Sequence, residues 1–219
     1  MDYSNETLDD KKARAVKIVG LLKIRYTVDP GTALDYKTPL DLLVATILSA
    51  QCTDVRVNIV TRELFRKYRK AVDYAKADLE AFGQEIKSTG FYNNKAKNII
   101  SCCAMIVKEF GGEVPEPMED LVRLPGVGRK TANLVRGIVF GRPGIVTDTH
   151  VIRVSTRLGL TDKKDPEKIE YDLNALIPEE EWTGFSSRMV MLGREVCTAR
   201  NPDHASCELN NICPSAIPA

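Results

Sequence analysis

Apolar residues recur at helical spacing along almost the whole chain, and this periodicity limits the fold more than any other feature. Residues 40, 43, 44, 47 and 48 form the apolar stripe of one amphipathic helix, with Thr38 as its capping residue and Pro39 at its first position. Further helices are predicted at 54–68, 96–110, 118–124, 129–140, 149–158, 167–177 and 181–192. Because no segment has the alternating pattern of a strand, the sequence predicts an all-α protein.

The charge of the chain is nearly balanced overall but uneven locally. The 219 residues carry a net charge of +1, which by itself gives no indication of a nucleic-acid partner. From position 123 to position 142, however, every charged residue is basic, namely Arg123, Arg129, Lys130, Arg136 and Arg142. A phosphate backbone responds to the local field and not to the average. On charge alone, this stretch is either a DNA-facing surface or a solvated helix face.

The chain has no feature of a membrane or secreted protein. Residues 1–10 are polar and acidic, unlike a signal peptide, and no apolar run approaches the roughly 20 residues of a membrane helix. We therefore expect a cytoplasmic, nucleoid-associated protein without a membrane partner, in which disulfides are disfavoured. Cys52, Cys102 and Cys103 fall in helical apolar patterns and are expected to be buried and inert.

Two predicted helices are joined by the sequence LPGVGRKTAN at residues 124–133. Pro125 ends the first helix, and glycines at 126 and 128 permit positive φ and close approach by another molecule. The second helix begins at once, so its free N–H groups are suited to a DNA phosphate. Val127 is expected to anchor this hairpin in the core. The alternative for a Gly-x-Gly turn is a tight helix connection without a ligand.

Lys130 lies in the first turn of that second helix, where a cation opposes the helix dipole. The positive helix end and partial burial are expected to lower the pKa of its ammonium and free a nucleophilic amine. Such an amine can attack C1′ of a deoxyribose, displace the base and leave a Schiff base that permits β-elimination. The alternative is a solvent-facing phosphate contact.

Asp148 stands at the predicted N-cap of the helix that begins at residue 149. Its carboxylate is suited to stabilising positive charge on a sugar and to assisting deprotonation of an amine. Capping alone is the alternative, and the two roles are compatible. His150 is expected to be a packing or hydrogen-bonding residue.

A metal site is indicated near the C-terminus. Cys197, His204, Cys207 and Cys213 are separated by six, two and five residues. The spacing suits zinc with three thiolates and one imidazole. An iron–sulfur cluster is the second possibility, although such clusters normally take four thiolates, with histidine ligands in Rieske centres. Clustering of these residues without a metal is the remaining alternative.

Taken together, these residues resemble the endonuclease III family, the iron–sulfur members of the helix-hairpin-helix DNA glycosylases. The resemblance rests on LSAQCTD at 48–54, GFYNNKA at 90–96, the segments 124–133 and 146–150, and the cysteine tail. It implies a two-lobed helical fold with a six-helix barrel at 32–142, including a helix-hairpin-helix at about 121–140. Residues 1–31 and 143–219 would form a second helical lobe with the cluster loop.

The resemblance also implies roles for individual residues. Lys130 matches the Schiff-base lysine and Asp148 the catalytic aspartate. Gln51 matches a residue that fills the space left by a flipped nucleotide, and Phe91 matches an apolar wedge that is usually aliphatic. The hairpin residues implied to bind DNA are Gly126, Val127, Gly128, Arg129 and Thr131.

The activity implied is that of a monomeric glycosylase and AP lyase that removes oxidised pyrimidines from duplex DNA. A monofunctional relative of the mismatch adenine glycosylases is the first alternative, but that branch usually lacks the lysine found at Lys130. A non-catalytic DNA-binding module is the second, and Asp148 argues against it.

One residue departs from the family pattern. His204 occupies a position at which the family normally has a cysteine ligand of its 4Fe–4S cluster. We therefore expect cluster ligation by three cysteines and His204, with a raised reduction potential because imidazole is neutral. A three-iron cluster, zinc or a labile site are the alternatives.

Overall fold

The computed structural model describes residues 6–27 and 32–217. Within these ranges the chain is helical and contains no β-strand, which confirms the predicted all-α class. No helix of the described ranges is long and apolar enough to cross a membrane. Part of the predicted second lobe, at residues 1–5, 28–31 and 218–219, lies outside the described residues, as does the first half of the polar stretch 1–10.

The bounds of the helices follow from their caps and from the residues that interrupt them. In the described residues the α-helices are α1 (Leu8–Arg25), α2 (Pro39–Ser49), α3 (Asp54–Lys67), α4 (Ala71–Ala75), α5 (Leu79–Glu85), α6 (Tyr92–Glu109), α7 (Met118–Leu121), α8 (Arg129–Val139), α9 (Thr149–Arg157), α10 (Pro166–Leu176) and α11 (Trp182–Glu195). Short 3-10 helices lie at Lys87–Thr89, Glu179–Glu181 and Asn210–Ile212.

The start of α2 is the start predicted from the sequence. Thr38 is its N-cap and Pro39 its first residue. The Thr38 side chain accepts a hydrogen bond from the backbone N–H of Asp41, whose carboxylate accepts one from the backbone N–H of Thr38. This reciprocal arrangement is a capping box, which satisfies two otherwise unpaired donors.

The prediction that Cys52 lies buried in a helix is wrong. α2 ends at Ser49 and α3 begins at Asp54, so Cys52 is half-buried in the turn between them. The chain leaves the helical region at the C-cap Ala50, which has ψ of 112°, and Gln51 follows with φ of 54°. Cys102 and Cys103 on α6 are buried as predicted, and burial raises the pKa of both thiols, which keeps them unreactive.

The chain divides into two compact units, each with its own hydrophobic core. The first unit is Thr32–Gly141, and its core is formed by α2, α6 and the helices around them. Within it, α8 packs against α2 and buries Ala132 and Val135, which fixes the direction of the helix that carries Lys130.

The second unit contains the described residues 6–27 and 142–217. Ile18 of α1, Val151 of α9 and Phe185 of α11 are completely buried in its core. α9 packs against α11, and this packing fixes both the N-terminus of α9 at Asp148 and the segment that follows α11.

Candidate active site and metal centre

The hairpin between α7 and α8 is closed by its own backbone. The N–H of Leu124 donates to the carbonyl of Leu121 at 3.1 Å, and the N–H of Val127 donates to the carbonyl of Leu124 at 3.0 Å. Val127 is 5% exposed and belongs to the core of the first unit, so the prediction that it anchors the hairpin is confirmed.

The two glycines of the hairpin are needed for different reasons. Gly126 has φ of 81°, and a Cβ there would lie 2.9 Å from the Cβ of Asn98, so the folded protein itself requires glycine. Gly128, the N-cap of α8, has φ of −92°, and a Cβ there would meet no atom of the described residues within 4 Å. Any requirement for glycine at Gly128 must therefore come from a binding partner that approaches the backbone.

Lys130 is exposed, so the predicted partial burial is wrong. It lies in the first turn of α8, and its neighbours Ala132 and Asn133 face the core instead. The Lys130 side chain is accessible to a molecule bound at the hairpin.

The basic stretch 123–142 is less uniform in the structure than in the sequence. The guanidinium of Arg123 forms ion pairs with Asp120 and Glu109, which raise its pKa further. These acidic partners come from outside the stretch, so the sequence pattern did not reveal them. In the protein alone, two acidic side chains therefore offset part of the positive charge of Arg123.

Asp148 is the N-cap of α9, as predicted. Its Oδ1 accepts hydrogen bonds from the backbone N–H groups of His150 and Val151, both at 2.8 Å. The cap therefore fixes the orientation of the half-buried carboxylate through Oδ1. Among the described residues Oδ2 accepts no hydrogen bond, so this oxygen can interact with a bound molecule. The His150 ring contacts Arg153 at 3.1 Å, which confirms its predicted hydrogen-bonding role.

Gln51 and Phe91 share an uncommon backbone conformation. In the described ranges they are the non-glycine residues with positive φ, at 54° and 49°. Both are exposed, and Phe91 is 63% exposed despite being a large apolar residue. Strained backbone of this kind occurs preferentially at functional sites. We refer to residues 50–53 and 90–91, which carry these two side chains, as the wedge loops.

Sequence reasoning assigned no role to Lys95, although it lies in the segment 90–96. The structure buries Lys95 and directs its amine to the two segments that precede the wedge loops. A sequence indication existed, because Lys95 falls beside the core position Ala96 and four residues before the core position Ile99. A lysine on the apolar stripe of a helix is unusual unless it is paired.

The four predicted metal ligands line a single cavity. Cys197 follows α11, and Cys197, His204, Cys207 and Cys213 all border a cavity of about 30 Å³ within the second unit. Arg157 of α9 closes one side, with Nη1 donating to the Cys197 Sγ at 3.2 Å and to the Thr198 carbonyl at 2.6 Å.

The donor set at this cavity, three thiols and one imidazole, is one that both zinc sites and iron–sulfur centres can use. In the described part of the chain, no three Cys, His, Asp or Glu side chains are arranged to hold one metal ion. Zinc needs four ligands at about 2.0–2.3 Å from one centre, whereas the ligands of an iron–sulfur cluster bind different iron atoms and stay further apart. Burial, followed by the neighbouring thiols, raises the pKa of Cys207, and burial does the same for Cys213. Positive charge in the cavity would offset both effects.

A helical fold with this hairpin defines a class of DNA repair protein, and comparison with known sequences identifies the class directly. Residues 44–179 match the HhH-GPD superfamily base excision DNA repair protein family. The chain therefore belongs to the HhH-GPD superfamily of base excision DNA repair proteins.

Within that superfamily the chain is similar to endonuclease III from several bacteria. Endonuclease III of Synechocystis sp. is 53% identical over 209 residues, which cover 94% of this chain and 94% of that protein. Endonuclease III of Escherichia coli is 38% identical over 202 residues, covering 92% of this chain and 95% of that protein. The resemblance predicted from the sequence motifs is confirmed.

Solved structures of endonuclease III bound to DNA are also similar to this chain. A non-covalent endonuclease III–DNA complex has a TM-score of 0.85 and 43% sequence identity, and the match covers 93% of this chain and 95% of that chain. A trapped endonuclease III–DNA covalent intermediate also has a TM-score of 0.85 with 43% identity, covering 93% of this chain and 96% of that chain.

Proposed function

We infer that the chain is a base excision repair DNA glycosylase that also cleaves the abasic strand as a lyase. It acts on duplex DNA, as expected from its similarity to DNA-bound endonuclease III. The observation that carries this assignment is the start of α8, where the open glycine Gly128 is followed within two residues by the exposed amine of Lys130. We assign oxidised or ring-saturated pyrimidines as the substrate class.

Lys130 is the nucleophile in this proposal. Its amine attacks C1′ of the damaged nucleotide, and the bond from C1′ to the base breaks as the base departs. Loss of the ring oxygen–C1′ bond then gives a Schiff base between C1′ and the lysine nitrogen. Removal of a C2′ proton expels the 3′ phosphate by β-elimination, which cuts the strand. Because Lys130 is exposed in the protein alone, its amine is accessible to a bound DNA strand.

Asp148 supplies a fixed negative charge in the same reaction. Its Oδ1 is held by the two backbone donors of the helix cap, so the orientation of the carboxylate is set before substrate binds. Oδ2 can then face positive charge that develops on the sugar, or accept a proton from the attacking amine. Preorganised charges of this kind cost no reorganisation during the reaction.

DNA binding is assigned to the hairpin and the wedge loops. The first N–H groups of α8 follow Gly128, which has no side chain to cap them, and they are suited to a phosphate together with Arg129 and Thr131. A base must leave the duplex stack before C1′ is accessible, and the vacated space must be filled. Gln51 and Phe91 are exposed on the wedge loops and are assigned to this task.

The cavity bordered by three cysteines and His204 is the proposed site of an iron–sulfur cluster. Endonuclease III proteins carry a 4Fe–4S cluster, and we propose that Cys197, His204, Cys207 and Cys213 ligate it here. When bound, the cluster stabilises the loop between Cys197 and Cys213 and is not assigned to the glycosidic chemistry. An absorbance spectrum with iron and sulfide analysis tests this, and His204→Cys is the informative variant. Zinc without visible absorbance would refute cluster binding.

The activity is tested with duplexes that contain one ring-saturated pyrimidine and with matched undamaged duplexes. Wild-type protein is expected to release the damaged base and to cut the strand at that position, and to leave undamaged DNA intact. Lys130→Ala is expected to lose strand cutting, while Arg123→Ala, whose guanidinium is already paired, serves as a matched loss of positive charge. Strand cutting by Lys130→Ala at the wild-type rate would refute the role of Lys130.

A further inference from the structure

Lys95 is a buried cation that lacks the usual compensation. The side chain lies in the first turn of α6 and is 5% exposed, and no carboxylate of the described residues forms an ion pair with it. Burial lowers its pKa, and the proximity of Cys52 opposes this only in part. Lysine is seldom buried without a partner, because desolvation of an ammonium is costly. A buried lysine without a carboxylate partner at this position therefore indicates that its amine has a specific role.

The amine of Lys95 is solvated by two backbone carbonyls. Nζ donates to the carbonyl of Leu48 at 2.7 Å and to the carbonyl of Thr89 at 2.8 Å. Leu48 lies in the last turn of α2, two residues before the wedge loop of Gln51 begins. Thr89 ends the 3-10 helix that directly precedes the wedge loop of Phe91. One side chain therefore connects the two segments from which the wedge loops emerge.

The backbone of Lys95 strengthens the same connection. Its N–H donates to the carbonyl of Phe91 at 3.1 Å, which forms the first turn of α6. In addition, the last turn of α2 contains no basic residue of its own, so the ammonium of Lys95 is the cation that complements the C-terminal end of the α2 dipole. Lys95 thus contacts the backbone of the last turn of α2 through its side chain and the backbone of Phe91, just before α6, through its own N–H.

The conformation of the wedge loops explains why such a connection is needed. Gln51 and Phe91 both have positive φ, a backbone conformation that non-glycine residues keep only when surrounding contacts impose it. Neither side chain is buried, so core packing of these side chains does not impose it. The two side-chain hydrogen bonds of Lys95 are buried, and they hold the backbone at Leu48 and Thr89, which lie three residues before Gln51 and two residues before Phe91.

We propose that Lys95 is a positioning residue that holds the two wedge loops in the arrangement needed to fill an opened duplex. This inference rests on the proposed function, because it assigns the wedge loops to the space left by the flipped nucleotide. Lys95 itself contacts neither DNA nor the reacting atoms in this role. Its contribution is confined to the opening step, which precedes the chemistry at Lys130.

A positioning role at this step predicts a dependence on substrate pairing that a purely structural role would not produce. An abasic site in a fully paired duplex must be opened and its neighbours separated by the wedge loops. The same abasic site in a bubble of unpaired bases is already open, so the wedge loops contribute little. Loss of Lys95 should therefore slow cleavage of the duplex far more than cleavage of the bubble.

The experiment compares single-turnover strand cleavage of the duplex and of the bubble by the wild-type protein, Lys95→Met and Lys97→Met. Methionine keeps the length of the side chain without its donors, and Lys97 is an exposed lysine on the same helix. Lys95→Met is expected to cleave the duplex more slowly by roughly tenfold to a hundredfold, the range for a misplaced positioning group, and the bubble within about twofold of wild type. Lys97→Met is expected to keep the wild-type ratio of the two rates.

A second variant makes the assignment more specific. Phe91→Ala should slow duplex cleavage as well, and adding Lys95→Met to it should slow the reaction by less than the product of the two single effects, because both changes act on the same step. Fully independent effects of the two substitutions would contradict the proposal. An equal loss of duplex and bubble cleavage by Lys95→Met would overturn it, since that pattern indicates general misfolding.

Folding is checked by circular dichroism, and Lys95→Gln replaces Lys95→Met if the latter does not fold. Glutamine is shorter and cannot reach both carbonyls, so a loss selective for the duplex supports the proposal and an unchanged ratio overturns it. Failure of the wild-type protein to cleave either DNA would refute the proposed function itself. Cleavage of both by wild type with an unchanged ratio in the Lys95 variants would refute only the positioning role.

Discussion

The two hairpin glycines provide a matched pair of substitutions whose effects should separate folding from DNA binding. In Gly126→Ala, the residue is forced to keep φ of 81°, and its Cβ would lie 2.9 Å from the Cβ of Asn98. The backbone strain and the required shift of Asn98 together predict a loss of about 2 kcal/mol in the free energy of unfolding of the first unit. In Gly128→Ala, φ of −92° is ordinary and nothing in the described residues lies within 4 Å of the new Cβ. The expected cost is about 0.5 kcal/mol, from the weaker N-cap preference of alanine.

For DNA affinity we expect the larger loss in Gly128→Ala, the variant with the smaller loss of stability. The Cβ of Gly128→Ala would project into the open space before α8, where the phosphate is proposed to approach. We expect binding of a duplex with a non-cleavable abasic analogue to weaken by about tenfold, which corresponds to about 1.4 kcal/mol. Lys130 and Arg129 are unchanged in this variant, so a loss of affinity would reflect close approach to the backbone and not a loss of charge.

The assay combines urea denaturation with fluorescence anisotropy of labelled DNA at fixed salt. Unfolding is followed by circular dichroism, because the single tryptophan, Trp182, lies in the other unit and does not report on the hairpin. Wild-type affinity in Gly128→Ala would refute phosphate binding at the start of α8. Wild-type stability in Gly126→Ala would refute the structural reason for its glycine.

Two further predictions concern the second unit. Asp148→Asn retains a good N-cap residue, so the protein should fold and its DNA affinity should stay within about threefold of wild type. Base release should slow by on the order of a hundredfold. Equal release rates of the two proteins in a single-turnover assay would contradict the role of Asp148. Both oxygens of Glu6 accept hydrogen bonds from Arg14, at 2.6 and 2.8 Å, and these bonds are the main cause of its lowered pKa. The stabilisation is therefore present above the unfolded pKa of about 4.3 and is lost as the pH falls through the lower folded value. Glu6→Gln should cost about 1 kcal/mol at pH 7 and progressively less below about pH 4, measured by urea unfolding with Trp182 fluorescence, and a constant difference would contradict this.

Most helices with strong periodicity and good caps were predictable from the sequence, although α1, with 18 residues and a capping box at Thr7, was not among the helices predicted from periodicity. α2 and α9 begin where Thr38 and Asp148 predict, since a capping side chain is a local property of a few neighbouring residues. α4 and α5 were not predicted, because they have five and seven residues and cannot develop a helical repeat. Their existence depends on packing within the first unit, which a local pattern does not contain.

The wedge loops show the limit of sequence reasoning most clearly. The spacing from Leu48 to Cys52 is helical, and nothing in the residue types between them requires Gln51 to adopt positive φ. The same holds for Phe91, where an aromatic residue would be expected to avoid that region. Near Gln51 the contact is with a residue distant in sequence, the 2.7 Å hydrogen bond from Lys95 to the Leu48 carbonyl, whereas Phe91 is contacted by the same residue only four positions along the chain.

The candidate site was predictable in its residues but not in its environment. Lys130 and Asp148 were identified from their positions at helix starts, and the helix starts are confirmed. The exposure of Lys130 and the ion pairs of Arg123 could not be derived, because both depend on which groups neighbouring helices place nearby. The accessibility of Lys130 is therefore known from the structure and not from the sequence pattern.

The most direct test of this account is to locate the covalent bond between the protein and an abasic site. The wild-type protein is incubated with abasic duplex DNA and sodium borohydride, which reduces a Schiff base to a stable amine, and the cross-linked peptide is identified by mass spectrometry. We predict a single cross-link at Lys130, abolished in Lys130→Ala and retained in Lys97→Met. A cross-link at any other residue, or undiminished cross-linking of Lys130→Ala, would contradict the proposal that the exposed lysine at the start of α8 is the nucleophile.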